Sequence, residues 1–162
     1  MNMKTQSASP SATADREIVG TRLLNAPRDL VFQMWTQPEH IAKWWGPTGF
    51  STTIHEMDVR PGGLFRLTMH GPDGTEYRNR VVYLEVKKPE RLVYKYEPGK
   101  GDEPASMEVT VTFAAEGNKT RLEFRMVFPS AKAREHVVTK YGAIEGLNQT
   151  LGRLEAELAK MV

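Results

Sequence analysis

The sequence contains no cysteine, which excludes disulfides, thiolate nucleophiles and cysteine-ligated metals together and fits a reducing compartment. It holds no run of about eighteen apolar residues, so no membrane insertion is expected. Its opening, "MNMKTQSASPSATADRE", lacks the apolar stretch of a signal peptide. Charge of one sign is also scarce: the net charge is +2, with no long run of Lys or Arg. A nucleic-acid binder gathers positive charge on one face or helix, so no nucleic-acid partner is expected. The expected location is the cytoplasm.

What is present fits one domain. The 162 residues, 26% charged and 40% hydrophobic, suit a single globular unit. A chain of this size buries roughly two thirds of its unfolded surface, enough for a core and an internal cavity. Residues 1–14 are small and polar and read as a disordered leader. Residues 15–162 form the expected domain.

The hydrophobic period changes along the chain. "REIVGTRLLNAP" reads as a strand. In "NAPRDLVFQMWT", Leu30, Val31, Met34 and Trp35 recur at helical spacing. "QPEHIAKWW" reads as a second short helix, begun by Pro38 and ended before Gly46-Pro47. Strand patterns follow in "FSTTIHEMDV", "GLFRLTMH", "TEYRNRVVYLEV" and "RLVYKYE", separated by the turn signals "RPGG", "GPDG" and "KKPE". The Gly/Pro-rich "PGKGDEP" precedes "SMEVTVTFAA" and "TRLEFRMVF", which flank the hairpin signal "EGNK". Met107, Val109, Val111 and Phe113 share one face of their strand, as do Leu122, Phe124, Met126 and Phe128 of the next. From Ser130 the pattern is one long helix, with Val137, Tyr141, Ile144, Leu147, Leu151, Leu154, Leu158 and Met161 stepping by three and four. A curved antiparallel sheet with one apolar face needs a cover, and this helix is the only element long enough to supply it.

This order of elements resembles the START-like helix-grip (SRPBCC) superfamily. Within that superfamily the chain is similar to the bacterial branch named after the activator of heat-shock-protein-90 ATPase. The carriers are "NAPRDLVFQMWTQPEHIAKWWGP", "MDVRPGGLFRLTM", "GTEYRNRVVYLEVKKPERLVYKY" and "YGAIEGLNQTLGRLEAEL", spanning about residues 16 to 160. The resemblance implies an α+β fold, in which a curved antiparallel sheet of about seven strands wraps a long C-terminal helix, with two short helices after the first strand. It also implies a cavity between sheet and helix. Related domains bind lipids, hormones and polyketides or act on polyketides, so the fold alone does not select a reaction.

The chemistry-bearing residues point to binding rather than turnover. His55, Glu56 and Asp58 lack the three or four convergent ligands of a zinc site, and the chain has only four His. No metal and no cofactor are expected. There is no "G-x-S-x-G" elbow and no phosphate-binding glycine loop. Asp58 and Arg60 flank the tight turn of "DVRPGG", a structural role. Pocket candidates are the aromatic, Met and helix residues Trp35, Trp45, Phe50, Met57, Phe65, Met69, Tyr83, Tyr94, Tyr96, Met107, Phe124, Met126, Ile144 and Leu147, whose side chains are adaptable or amphipathic. Polar candidates are His55, Arg66, His70 and Arg78. The expected partner is a small hydrophobic molecule, and a homodimer is also allowed. The alternatives are an acid/base step on a bound polyketide-like substrate, using His55, His70, Asp58 or Glu76, or an interaction module that activates a chaperone ATPase. In "WWGP", adjacent rings differ by about 100° around a helix axis. Trp45 is expected to enter the core or the cavity end, and Trp44 to lie partly exposed over the Gly46-Pro47 turn.

Overall fold

Period-two alternation over "MEVTVTFAAE" and "KTRLEFRMV" becomes two strands whose Val109, Val111, Phe113, Leu122 and Phe124 all turn inward and are buried. In the computed structural model, which describes residues 13–97 and 107–161, these are β6 (Met107–Glu116) and β7 (Lys119–Val127). They form a hairpin around Gly117-Asn118, as "EGNK" predicts. The other strands are β1 (Glu17–Leu24), β2 (Ser51–Met57), β3 (Leu64–His70), β4 (Glu76–Lys87) and β5 (Arg91–Tyr96). They make one antiparallel sheet ordered β1-β7-β6-β5-β4-β3-β2, an α+β helix-grip arrangement. The disordered-leader expectation falls largely outside the described residues, and the "PGKGDEP" segment lies wholly outside them. Of that leader's described residues, Ala14 begins a 3-10 turn.

The helical half departs from the sequence pattern in two places. α1 (Arg28–Thr36) is as expected, but α2 spans only Pro38–Ile41. Hydrogen-bonded turns carry its path on to Trp45, whose N–H donates to the Ile41 carbonyl at 3.1 Å. The long C-terminal helix is two helices, α3 (Ala131–Tyr141) and α4 (Ala143–Ala159). Gly142 separates them at φ 61°, ψ 44°, a left-handed conformation that glycine adopts without strain. The break redirects the apolar stripe. Val137 packs with Ile18 and Phe128 in a separate small cluster, while Tyr141, Ile144 and Met161 are exposed. Leu151, Leu154 and Leu158 of α4 reach the main core.

The cover of the sheet is therefore shared. α4 lies against β1 at Gly20, where an added Cβ would stand 3.0 Å from Leu147 Cδ2. Glycine in a strand here marks a close approach. The rest of the inner face is closed by α1 and the segment after α2, which bring Phe32, Trp35, Trp44 and Trp45 into the core. Three indoles occupy space that one helix does not span.

Candidate functional site: a cavity under the paired tryptophans

Both rings of "WWGP" are buried, and Trp44 is the more buried of the two, at 0% exposure against 6% for Trp45. This overturns the expected exposure of Trp44, whereas Trp45 enters the core at the cavity as expected. The physical reason is a polar anchor: Trp44 Nε1 donates to the Met34 carbonyl at 3.0 Å, at the end of α1 where the last carbonyls lack partners within the helix. The Trp44 ring also meets Trp35 edge-on at 4.5 Å. Trp45 turns the other way, edge-on to Phe65 at 5.6 Å and beside Tyr94. Gly46 follows at φ 96°, with Phe50 and the Met69 methyl packed over it.

This packing leaves a cavity of about 680 Å³ between the sheet's inner face, the 44–50 segment, the α3–α4 junction and α4. Its walls are mostly apolar. Of the sequence-based candidates, Trp35, Trp45, Phe50, Met69, Tyr96, Phe124, Met126 and Leu147 line it. Phe65, Tyr83 and Tyr94 sit instead behind that wall, as a buried aromatic stack in which Phe65 and Tyr83 lie parallel at 6.4 Å. Met57 packs on the core, Met107 joins the smaller cluster, and Ile144 faces solvent because the Gly142 break turns it outward.

The polar candidates are not on the cavity wall. Inward residues of β3 are Phe65, Leu67 and Met69, so Arg66, Thr68 and His70 face outward, and Arg78 pairs in register with Thr68 on that outer face. Arg66 forms an ion pair with Glu56 at 2.9 Å, and His70 lies 3.6 Å from Glu76. His55 sits at a register shift in β2 between Ile54 and Glu56, a bulge that directs it to Thr68 at 2.8 Å. Asp58 bonds Arg60 at 2.8 Å beside the turn, matching its structural reading. Among the described residues, no three His, Cys, Asp or Glu converge as a metal site.

Sequence reasoning missed several wall residues. Tyr77 and Asn79 line the cavity and alternate with Arg78 and Arg80, in phase with buried Val81 and Tyr83. That alternation was a usable signal. Lys140, Tyr141, Glu145 and Gln149 join the rim only because α3 and α4 meet there. No local pattern marks Lys140, Glu145 or Gln149, and Tyr141 stood out only as part of the helical stripe.

The interior of the site is electrically quiet. Burial holds the Tyr83, Tyr94 and Tyr96 phenols well above their usual titration range, reinforced at Tyr83 by Tyr94 and at Tyr96 by both neighbours. At Tyr94 the nearby Trp35 indole opposes the shift without cancelling it. Even so, Trp35 Nε1 and Tyr94 Oη complete no hydrogen bond with proper geometry. The site is thus a neutral, aromatic-walled chamber, with its charged groups at the rim.

The sequence profile described as "Activator of Hsp90 ATPase homolog 1-like protein" matches residues 25–159, which include the "WWGP" wall, strands β2 to β7 and α4. The chain belongs to this family. A search of curated proteins found no match. Among solved structures, a Nitrosomonas europaea protein is similar at 26% identity and TM-score 0.80, covering 92% of this chain and 97% of that one. An Arthrobacter aurescens protein shares the fold at 22% identity and TM-score 0.84, covering 93% and 90%. The AHSA1 protein of Silicibacter pomeroyi shares it at 18% identity and TM-score 0.72, covering 90% and 99%. No helix among the described residues of this family member is long and apolar enough to cross a membrane.

Proposed function

We propose that this protein binds one small, largely apolar and uncharged molecule in the chamber under the paired tryptophans. The observation that carries this reading is the cavity itself. About 680 Å³ walled by aromatic and Met side chains falls in the size range of small-molecule sites, which are concave, mostly apolar and furnished with a few polar groups. Here the polar lining residues include Asn79, Gln149, Tyr96, Thr48 and Thr150. The helix-grip fold is consistent with such a role.

An acid/base enzyme is the weaker reading. Its named groups His55, His70 and Glu76 are on the sheet's outer face, and Asp58 is at a turn. None can reach a molecule in the chamber without refolding the sheet.

The test is titration with N-phenyl-1-naphthylamine, a neutral apolar fluorophore, alongside thermal shift with uncharged aromatic and aliphatic compounds. Saturable probe binding is expected, and Leu147→Trp should abolish it by filling the chamber. Probe binding that survives in Leu147→Trp, or no binding by the native protein, would overturn the reading.

A further inference from the structure

Arg153 reaches from α4 to the backbone end of the segment that carries the tryptophan pair. One terminal nitrogen donates to the carbonyls of Gly46 and Pro47, each at 3.0 Å, and to that of Trp45 at 3.4 Å. The other donates to the Lys43 carbonyl at 3.1 Å. Helix ends and the turns beyond them present carbonyls without helical donors, and peptide dipoles make that end negative. A cation supplied by another element is the physical complement. A planar guanidinium presents five N–H donors in fixed directions, whereas an ammonium is a point charge with three rotatable donors on a flexible stem.

Two further observations make this more than a local cap. Among the described residues Arg153 pairs with no carboxylate, so its hydrogen bonds go to this segment alone. Four residues earlier on the same helix face, Gln149 Oε1 accepts the Thr48 N–H at 3.2 Å. Two side chains of α4 thus fasten residues 43–48. Trp45, Gly46, Pro47 and Thr48 line the chamber, so the fastening sets the distance between two of its walls. The rim on the other side, around Gly142, has no comparable fastening among the described residues.

We infer that Arg153 is a positioning residue for the chamber. It touches no ligand, and it governs affinity and residence time by holding the Trp45 wall against α4. This inference rests on the ligand-binding reading above. A side chain that only stabilised the fold would change the melting midpoint and leave the occupied chamber's properties alone.

The experiment measures N-phenyl-1-naphthylamine affinity and stopped-flow release for the native protein, Arg153→Gln, Arg153→Lys and Leu147→Trp, well below each melting midpoint. Losing charge-assisted bonds to the wall should weaken binding about tenfold, mostly through faster release, while far-ultraviolet dichroism stays native. Arg153→Lys, able to satisfy fewer carbonyls, should fall between. Native affinity and release in Arg153→Gln would overturn the inference. If Arg153→Gln fails to fold, folded Arg153→Lys with native binding and release overturns it equally, and weakened binding in that variant supports it. No probe binding by the native protein, or binding indifferent to Leu147→Trp, sinks the ligand-binding reading itself and this inference with it.

Discussion

The indole N–H of Trp44 donates to the carbonyl of Met34 at 3.0 Å, across ten residues of chain and inside the core. This one bond ties the end of α1 to the start of the chamber wall, and it makes Trp44 a structural member rather than a cap. Truncating a fully buried aromatic leaves a void that the surroundings refill only in part. Trp44→Ala should therefore cost about 3–5 kcal/mol. Trp44→Phe keeps most of the ring but leaves the Met34 carbonyl without this donor, costing about 1–3 kcal/mol. Urea denaturation of the two variants checks both values, and a loss in Trp44→Ala smaller than that in Trp45→Ala would contradict the assignment.

Tyr94 makes the opposite prediction. Its hydroxyl is buried and completes no hydrogen bond, so removing it relieves a desolvation cost without breaking a partnership. Tyr94→Phe should be neutral or stabilising, by on the order of 1 kcal/mol. A lower melting midpoint in this variant would mean that the hydroxyl is bonded in solution.

The same buried phenols set the alkaline limit of stability. Tyr83, Tyr94 and Tyr96 have folded-state pKa values raised above the unfolded value, burial being the first cause in each. Above about pH 10 the unfolded chain releases these protons and the folded chain keeps them. The stabilisation is complete below that pH and is lost as pH rises towards the folded-state values. The melting midpoint should fall above about pH 10, with three tyrosinates appearing only on unfolding, as read by ultraviolet absorbance. Ionisation of all tyrosines before unfolding would show these three to be accessible.

The outer-face residues should be silent in binding. His55, Arg66, His70 and Arg78 lie across the sheet from the chamber. Their replacement by Ala, one at a time, should leave N-phenyl-1-naphthylamine affinity within about twofold of native, since exposed ion pairs contribute little. A tenfold loss in any of them would place that side chain on the ligand's path.

Much of the fold was legible because it rests on local period. Alternation along "MEVTVTFAAE" and "KTRLEFRMV" gives strand and face together, and the turn signals "GPDG", "KKPE" and "EGNK" fall where β3, β4 and β6 end. Legibility fell where direction depended on one residue. A bulge at His55 turned a residue counted inward to the outer face, and the left-handed Gly142 split a stripe that steps evenly by three and four. Helical spacing persists through such a break, because period records sequence distance and not axis direction.

The sequence by itself determined the strand count, the apolar faces and the supply of aromatic and Met side chains, since these follow from residue type and period. It also carried the family, through motifs such as "WWGP" and "DVRPGG". Only the tertiary structure decided which tryptophan is the anchor, because the Met34 carbonyl that receives Trp44 comes from another helix. Tertiary structure also assigned the four carbonyls that Arg153 grips, more than a hundred residues away in the chain. Contacts of that separation leave no period in the sequence, so packing alone could reveal them.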